Sequence, residues 1–169
     1  MTVDWQDLFE AVFESRKAFD ERGNIVFGCP ATAEDIGATF SEFGFKAPQE
    51  FVSLYSTFNG VGSTSPHSPK KTDWWFLPLE QIASLHESFQ RWVELHDDLA
   101  DAFLPFIDFG GGGKAGYFRS GGIATPETIF EFDNGAYEFD EDQEISEFIL
   151  ELDDSIYRYV SSRIYRKSG

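Results

Sequence analysis

Between Glu127 and Asp154 the chain carries 12 carboxylates and no Lys, Arg or His, yet large apolar residues are threaded through the same stretch. A disordered solvating tract would lack Ile129, Phe130, Phe132, Tyr137, Phe139, Ile145, Phe148, Ile149 and Leu152, whose burial offsets the entropy of ordering the backbone. The segment therefore reads as a folded acidic surface and not as an acidic tail. A fold that tolerates this much self-repulsion suits a cationic partner.

With 169 residues the chain is long enough for one domain with a real core and too short for two comfortable ones. Nineteen Phe, within 17% aromatic residues overall, supply so much bulk that neither disulfides nor metals are needed to hold it together. The single Cys29 can form no internal disulfide and fits a reducing compartment. Met1 to Leu8 contain Asp4 and Asp7 but no cationic cluster followed by an apolar run, so no secretory signal is visible. No stretch approaches the roughly 20 apolar residues of a membrane span. The expectation is a soluble cytoplasmic protein. A formal net charge of −17 disfavours nucleic acid and anionic membranes as ligands, since both are polyanions, and leaves basic proteins and cations.

Trp5, Leu8, Phe9, Val12 and Phe13 recur at helical spacing, which predicts an amphipathic helix over residues 3–20, ended by the turn Glu21-Arg22-Gly23-Asn24. After the apolar run Ile25 to Phe27, Thr32 stands three residues before Asp35 like a capping box and opens a helix through Phe43, which Gly44 stops. Pro48 suits a first helical turn; Phe51, Leu54, Tyr55 and Phe58 form the face of a third helix, ended by Asn59-Gly60. Residues 61–72, with Ser63, Ser65, Ser68, Pro66 and Pro69 and no apolar period, read as a surface loop. Trp74 to Leu77 reads as a strand, and Pro78-Leu79-Glu80 leads into a helix with Ile82, Leu85, Phe89, Trp92 and Val93 on one face. Strands follow at Leu104–Phe109 and Ala115–Arg119, around a glycine-rich connection. No repeat of solenoid length is present.

Asn134-Gly135 lies between two alternating runs and predicts a two-residue hairpin over residues 128–140. In that register Phe132 faces Tyr137, Glu131 faces Glu138 and Phe130 faces Phe139, so one face is aromatic and the other gathers Asp133, Glu131, Glu138 and Asp140. Two directly opposed carboxylates would cost stability. Residues 145–165 then read as a closing helix, apolar at Ile145, Phe148, Ile149, Leu152, Ile156 and Tyr159, with Arg158, Arg163, Arg166 and Lys167 complementing the dipole near its end.

Gly111-Gly112-Gly113-Lys114-Ala115-Gly116 has the spacing of a dinucleotide fingerprint, but Tyr117-Phe118-Arg119-Ser120-Gly121-Gly122 reads as a strand and turn where that motif requires a helix. A glycine-rich hairpin connection is the better account. Asp140, Asp142, Glu144 and Glu151 fall at calcium-loop positions, yet Ile145 replaces the glycine that the sharp turn needs, which leaves at most weak cation binding. His67, His86 and His96 are not at metal-ligand spacing with each other or with Cys29. No nucleophile–base pair can be assembled, so no catalytic residue, cofactor or metal is expected. Trp74 and Trp75 must point to opposite sides of their strand. Burial on both sides is the expectation, and either indole becomes a contact residue if its side is open.

The ordered set Pro30-Ala31-Thr32-x-Glu34-Asp35-Ile36, Phe43-Gly44-Phe45-x-x-Pro48-x-x-Phe51, Asn59-Gly60, Phe76-Leu77-Pro78-Leu79-Glu80-x-Ile82 and Leu104-Pro105-x-x-Asp108-x-Gly110-Gly111 resembles the SUKH superfamily, specifically the Smi/Knr cell-wall-assembly-regulator family. Ser146-Glu147-Phe148-Ile149-Leu150 resembles it too, so the likeness spans residues 30–155, with 1–28 as an N-terminal helical extension of the same domain. The resemblance implies an α+β fold in which N-terminal helices and a C-terminal helix pack on a mainly antiparallel sheet. It also implies an immunity protein that binds a toxin domain, often a nuclease, or an adaptor in cell-wall or stress signalling. A cation-binding module ranks below both. Gly44, Pro48, Asn59, Gly60, Asp108, Gly110 and Gly111 carry over as structural motif residues, with Asn59-Gly60 and Gly110-Gly111 read as positions needing positive φ.

These expectations converge on a non-catalytic domain whose acidic face docks a basic protein partner. The candidates are Glu131, Asp133, Glu138, Asp140, Glu141 and Asp142, with Trp74 and Trp75 as further contacts. The same acidic face could instead be an aggregation-resistant outer surface neutralised by Arg119 or Arg158.

Overall fold

The computed structural model describes residues 2–17, 23–119 and 125–164. Helix α1, Trp5–Arg16, starts where Asp4 accepts the Asp7 N–H, and buries Trp5, Phe9, Val12 and Phe13 along one face. Strand β1 (Ile25–Phe27) follows. Thr32 caps α2 (Ala33–Glu42) by accepting the Asp35 N–H at 3.1 Å, and Gly44 leaves that helix at a φ of +70°. Pro48 is the residue just outside α3 (Gln49–Thr57), where Phe51 stacks on Tyr55 at 4.0 Å and the Tyr55 hydroxyl donates to the Leu77 carbonyl. The predicted helix end at 18–20, Glu21 and Arg22 of the first turn, the Ser120-Gly121-Gly122 turn, and Arg166 and Lys167 lie outside the described residues.

The other elements are β2 (Val61–Ser65), β3 (Ser68–Phe76), α4 (Leu79–Trp92), α5 (Asp97–Ala102), β4 (Phe103–Gly110), β5 (Gly113–Phe118), β6 (Ile129–Phe132), a 3₁₀ turn at Ile145–Glu147, β7 (Ile149–Asp153) and α6 (Ile156–Ser161). The strands form one seven-stranded antiparallel sheet in which spatial order follows chain order from β1 to β7. The fold is α+β. The glycine run turns β4 into β5 as a hairpin connection, with φ of +74°, +62° and +101° at Gly110, Gly111 and Gly112. At Gly116 the strands approach so closely that a Cβ would fall 2.0 Å from the Leu104 carbonyl oxygen.

Two apolar clusters hold the layers. The larger joins α1, α2, α3, the first half of α4 and α6 to the sheet through residues such as Phe40, Phe51, Phe76, Phe106 and Tyr159. The smaller packs Phe89, Val93 and Leu99 against Phe103, Phe130, Phe132 and Phe148. A long-range bond locks the ends together: the Glu50 carboxylate on α3 accepts the Ile156 and Tyr157 N–H groups at the start of α6. Among the described residues no helix is long and apolar enough to cross a membrane.

Three expectations are corrected. Residues 61–72 are not a loop but most of the β2–β3 hairpin. Ser68 to Lys71 are exposed on both sides, so no burial alternation marks them as a strand. The 128–140 hairpin does not form: Asp133 accepts the Gly135 and Ala136 N–H groups, and neither Asn134 nor Gly135 has the positive φ of a two-residue hairpin turn. Glu131 consequently stands across from Ala115 on β5 and Leu150 on β7, not from Glu138. The closing helix over 145–165 is instead the 3₁₀ turn, β7 and the short α6, because β7 supplies the hydrogen bonds that the outer side of β6 requires. Ile145, assigned to the buried face of that helix, is 39% exposed.

Candidate interaction groove

Residues from β2, β3, β4, β5 and β6, with α1 and α6 beside them, enclose an open groove of about 890 Å³. Its lining includes Gly62, Thr64, Asp73, Trp74, Trp75, Asp108, Phe109, Gly113, Glu131 and Asn134, with Phe13, Arg16, Tyr159 and Arg163 contributed by the helical end. One wall alternates cations and rings. The Arg16 guanidinium lies 5.4 Å from the centre of Trp75, the Trp75 indole N–H donates to the Tyr159 hydroxyl at 3.1 Å, and the Arg163 guanidinium lies 3.8 Å over Tyr159. Tyr159 is fully buried and its phenol is pushed up to about 12, chiefly by burial. Arg163 also donates to the Tyr159 carbonyl and the Ser162 hydroxyl.

The groove carboxylates are Asp73, Asp108 and Glu131. Glu131 projects from the middle of a strand and is half-buried. Burial raises its pKa, the nearby Asp133 adds to that, and Arg163 pulls it back down. Asp108 accepts the Gly110 N–H at 2.9 Å, Asn134 donates to the Gly111 carbonyl at 2.8 Å, and the Lys114 ammonium donates to the Gly112 carbonyl at 2.9 Å. The β4–β5 turn at the groove edge is thereby clamped from three sides. Lys114 is buried, and desolvation lowers its pKa against the opposing influence of Asp108.

Of the residues singled out from sequence, Trp74, Trp75 and Glu131 meet in this groove. Both indoles are half-buried, so two-sided burial of the tryptophan pair is incomplete. Glu138, Asp140, Glu141 and Asp142 instead occupy the exposed loop 133–144, separate from Glu131, and Asp133 forms the turn that opens it. The loop is built by its own polar bonds: Gln143 accepts the Glu138 N–H and donates to the Ala136 carbonyl, and Asp140 accepts the Asp142 N–H. Phe139 sits there at a φ of +56°, 55% exposed and stacked on Trp92 at 5.6 Å. Among the described residues no basic side chain forms an ion pair with these loop carboxylates. Arg119, considered as their neutraliser, lies instead on Phe45 and donates to the Phe43 and Asp101 carbonyls; Arg158 pairs with Asp154 on the surface.

The motif residues mostly brace the backbone. Gly44, Gly60, Gly110 and Gly111 have positive φ. Asn59 does not, which corrects its assignment. Its side chain accepts the Leu79 N–H at 2.8 Å and donates to Glu80, capping α4 in place of Pro78, which offers no side-chain bond. Asp108 combines a turn bond with a place in the groove. His67, His86 and His96 are dispersed over the β2–β3 connection, the α4 packing face and the Tyr137 hydroxyl. Among the described residues no three His, Cys, Asp or Glu side chains converge as metal ligands.

Sequence reasoning missed Phe13, Arg16, Asp73, Tyr159 and Arg163 as groove residues. Phe13 and Tyr159 were assigned to buried helix faces and Arg163 to the helix dipole, while Arg16 and Asp73 carried no signal; the packing of α1 with α6 beside β3 brings them together. Residues 30–151 match the SMI1/KNR4 family (SUKH-1). No curated protein matches the chain.

Proposed function

The chain belongs to the SMI1/KNR4 family (SUKH-1), and on that premise we propose that it is a non-catalytic cytoplasmic immunity protein that binds a basic toxin domain and blocks its activity. The observation that carries this reading is the loop 133–144, where ordered, exposed carboxylates stand, among the described residues, without an ion-pair partner around the exposed ring of Phe139. Such a surface gives fast, steered association with a cationic partner and a rigid aromatic anchor for the bound state. A nuclease toxin must present cations to phosphates, so it is the best-matched class. Inhibition by occlusion asks for no reaction of the inhibitor.

The test is co-expression with the protein encoded by the neighbouring reading frame. Co-purification and restored growth support immunity. Co-purification with cell-wall or stress-signalling proteins, without protection, transfers the chain to the adaptor role.

A further inference from the structure

The groove has its own chemistry, distinct from the loop. Its three carboxylates, Asp73, Asp108 and Glu131, share the lining with the guanidiniums of Arg16 and Arg163. Both guanidiniums lie against rings of the aromatic wall, at 5.4 Å and 3.8 Å. Among the described residues none of the three carboxylates forms an ion pair, and the Glu131 carboxylate has no hydrogen bond. A half-buried carboxylate in mid-strand is costly when left without a donor, and apolar Ala115 and Leu150 beside it supply none. The chain's own arginines display the ligand chemistry that this wall accepts: planar cations laid on indole and phenol faces.

We infer that the groove seats an arginine side chain projecting from the partner protein, its guanidinium pairing with Glu131 while its plane rests against the exposed part of the Trp75 indole. The inference rests on the reading that the chain inhibits by binding a protein, and names the anchor that this binding uses. Arginine fits better than lysine because its planar fork can pair with a carboxylate through two hydrogen bonds and stack at once, whereas an ammonium is a more strongly hydrated point charge. Asp108 on β4 and Asp73 on β3 continue the negative floor across the sheet from β6, so an extended basic segment finds further charge on that side of the anchor.

The probe is the blocked peptide acetyl-Gly-Arg-Gly-amide, titrated into the full chain and followed by the NMR shifts of the Trp75 indole N–H and the Ala115 and Leu150 amides. Saturable shifts at these positions are expected, weaker with the lysine peptide and absent with the citrulline peptide, which keeps the shape and loses the charge. Glu131→Gln should weaken binding roughly tenfold by removing the charged acceptor. Asp73→Asn, which leaves β6 untouched, should weaken it in the same direction and replaces the first variant if that one misfolds. Equal shifts with citrulline, shifts confined to residues 138–142, or indifference to both substitutions would overturn the site. A chain that protects against its toxin while its groove ignores the arginine peptide keeps the immunity reading and loses this one. Arginine-dependent groove shifts in a chain that protects nothing do the reverse.

Discussion

Glu131 and Glu138 bear the same side chain and lie in the same acidic run, yet the fold treats them differently. Glu131 is fixed by backbone pairing on both sides of β6 and comes to rest half-buried in the groove, where desolvation raises its pKa. Glu138 sits on a loop held by Gln143 and Asp140 and is exposed. In the sheet, register decides where a carboxylate points and the electrostatic cost follows. In the loop, side-chain bonds order the backbone while Glu138, Asp140, Glu141 and Asp142 stay exposed. The two regions therefore divide the work of recognition: long-range attraction for the loop, short-range pairing for the groove.

The largest expected effect tests whether the sheet is the rigid partner of the two. Gly116→Ala should destabilise by roughly 2–4 kcal/mol, because a Cβ has no room beside the Leu104 carbonyl, whereas Gly135→Ala in the loop should stay within about 0.5 kcal/mol. Denaturant midpoints decide it, and equal losses would erase the distinction.

Next comes charge. Reversing Glu138, Asp140 and Asp142 together should slow association with the cognate toxin by roughly 10- to 100-fold at low salt, with little change in dissociation or stability. Stopped-flow kinetics across a salt series, with circular dichroism as the folding control, reads this directly. An effect mainly on dissociation would place the loop inside the desolvated contact instead.

Glu50 sharpens the contrast from the other side, as a half-buried carboxylate that does have donors. Burial raises its pKa, while the Ile156 and Tyr157 N–H groups lower it. Glu50→Ala should cost about 1–2 kcal/mol by uncapping α6, measured by chemical denaturation. Glu131→Gln, lacking such bonds to lose, should instead stabilise by a few tenths of a kcal/mol at neutral pH, discounted for its solvent exposure. A folded-state pKa raised above 4.5 means that the wild-type carboxyl weakens the fold only once pH has risen through that value. The advantage of the variant should vanish in melts below pH 4.5. Glu138→Gln should change stability by less than about 0.5 kcal/mol, since no opposed carboxylate is relieved.

The helices α1 to α4 were legible because their signals are local. Asp4 and Thr32 each cap a helix through an N–H three residues on, and the α1 and α4 faces bury the residues that a 3.6-residue period selects. The glycine run was legible for a similar reason: positive φ at Gly110 to Gly112 suits a turn between strands whatever surrounds it.

The acidic segment from Glu127 to Asp154 determined its own surface character and its need for burial, since twelve carboxylates without a cation favour water and most of its large apolar residues do not. It did not fix its partners. Asn134-Gly135 has hairpin chemistry, but Asp133 captures the turn amides and Asn134 is drawn to the Gly111 carbonyl, a group 23 residues away. Ile149 and Leu152 satisfy a helical period as readily as a strand, and the outer side of β6 decides between them by offering unpaired backbone groups. The groove follows from the same kind of decision. Trp75, Tyr159, Arg163 and Glu131 are separated by up to 88 positions, and their meeting depends on strand register and on the packing of α1 with α6, contacts that no local window of sequence contains.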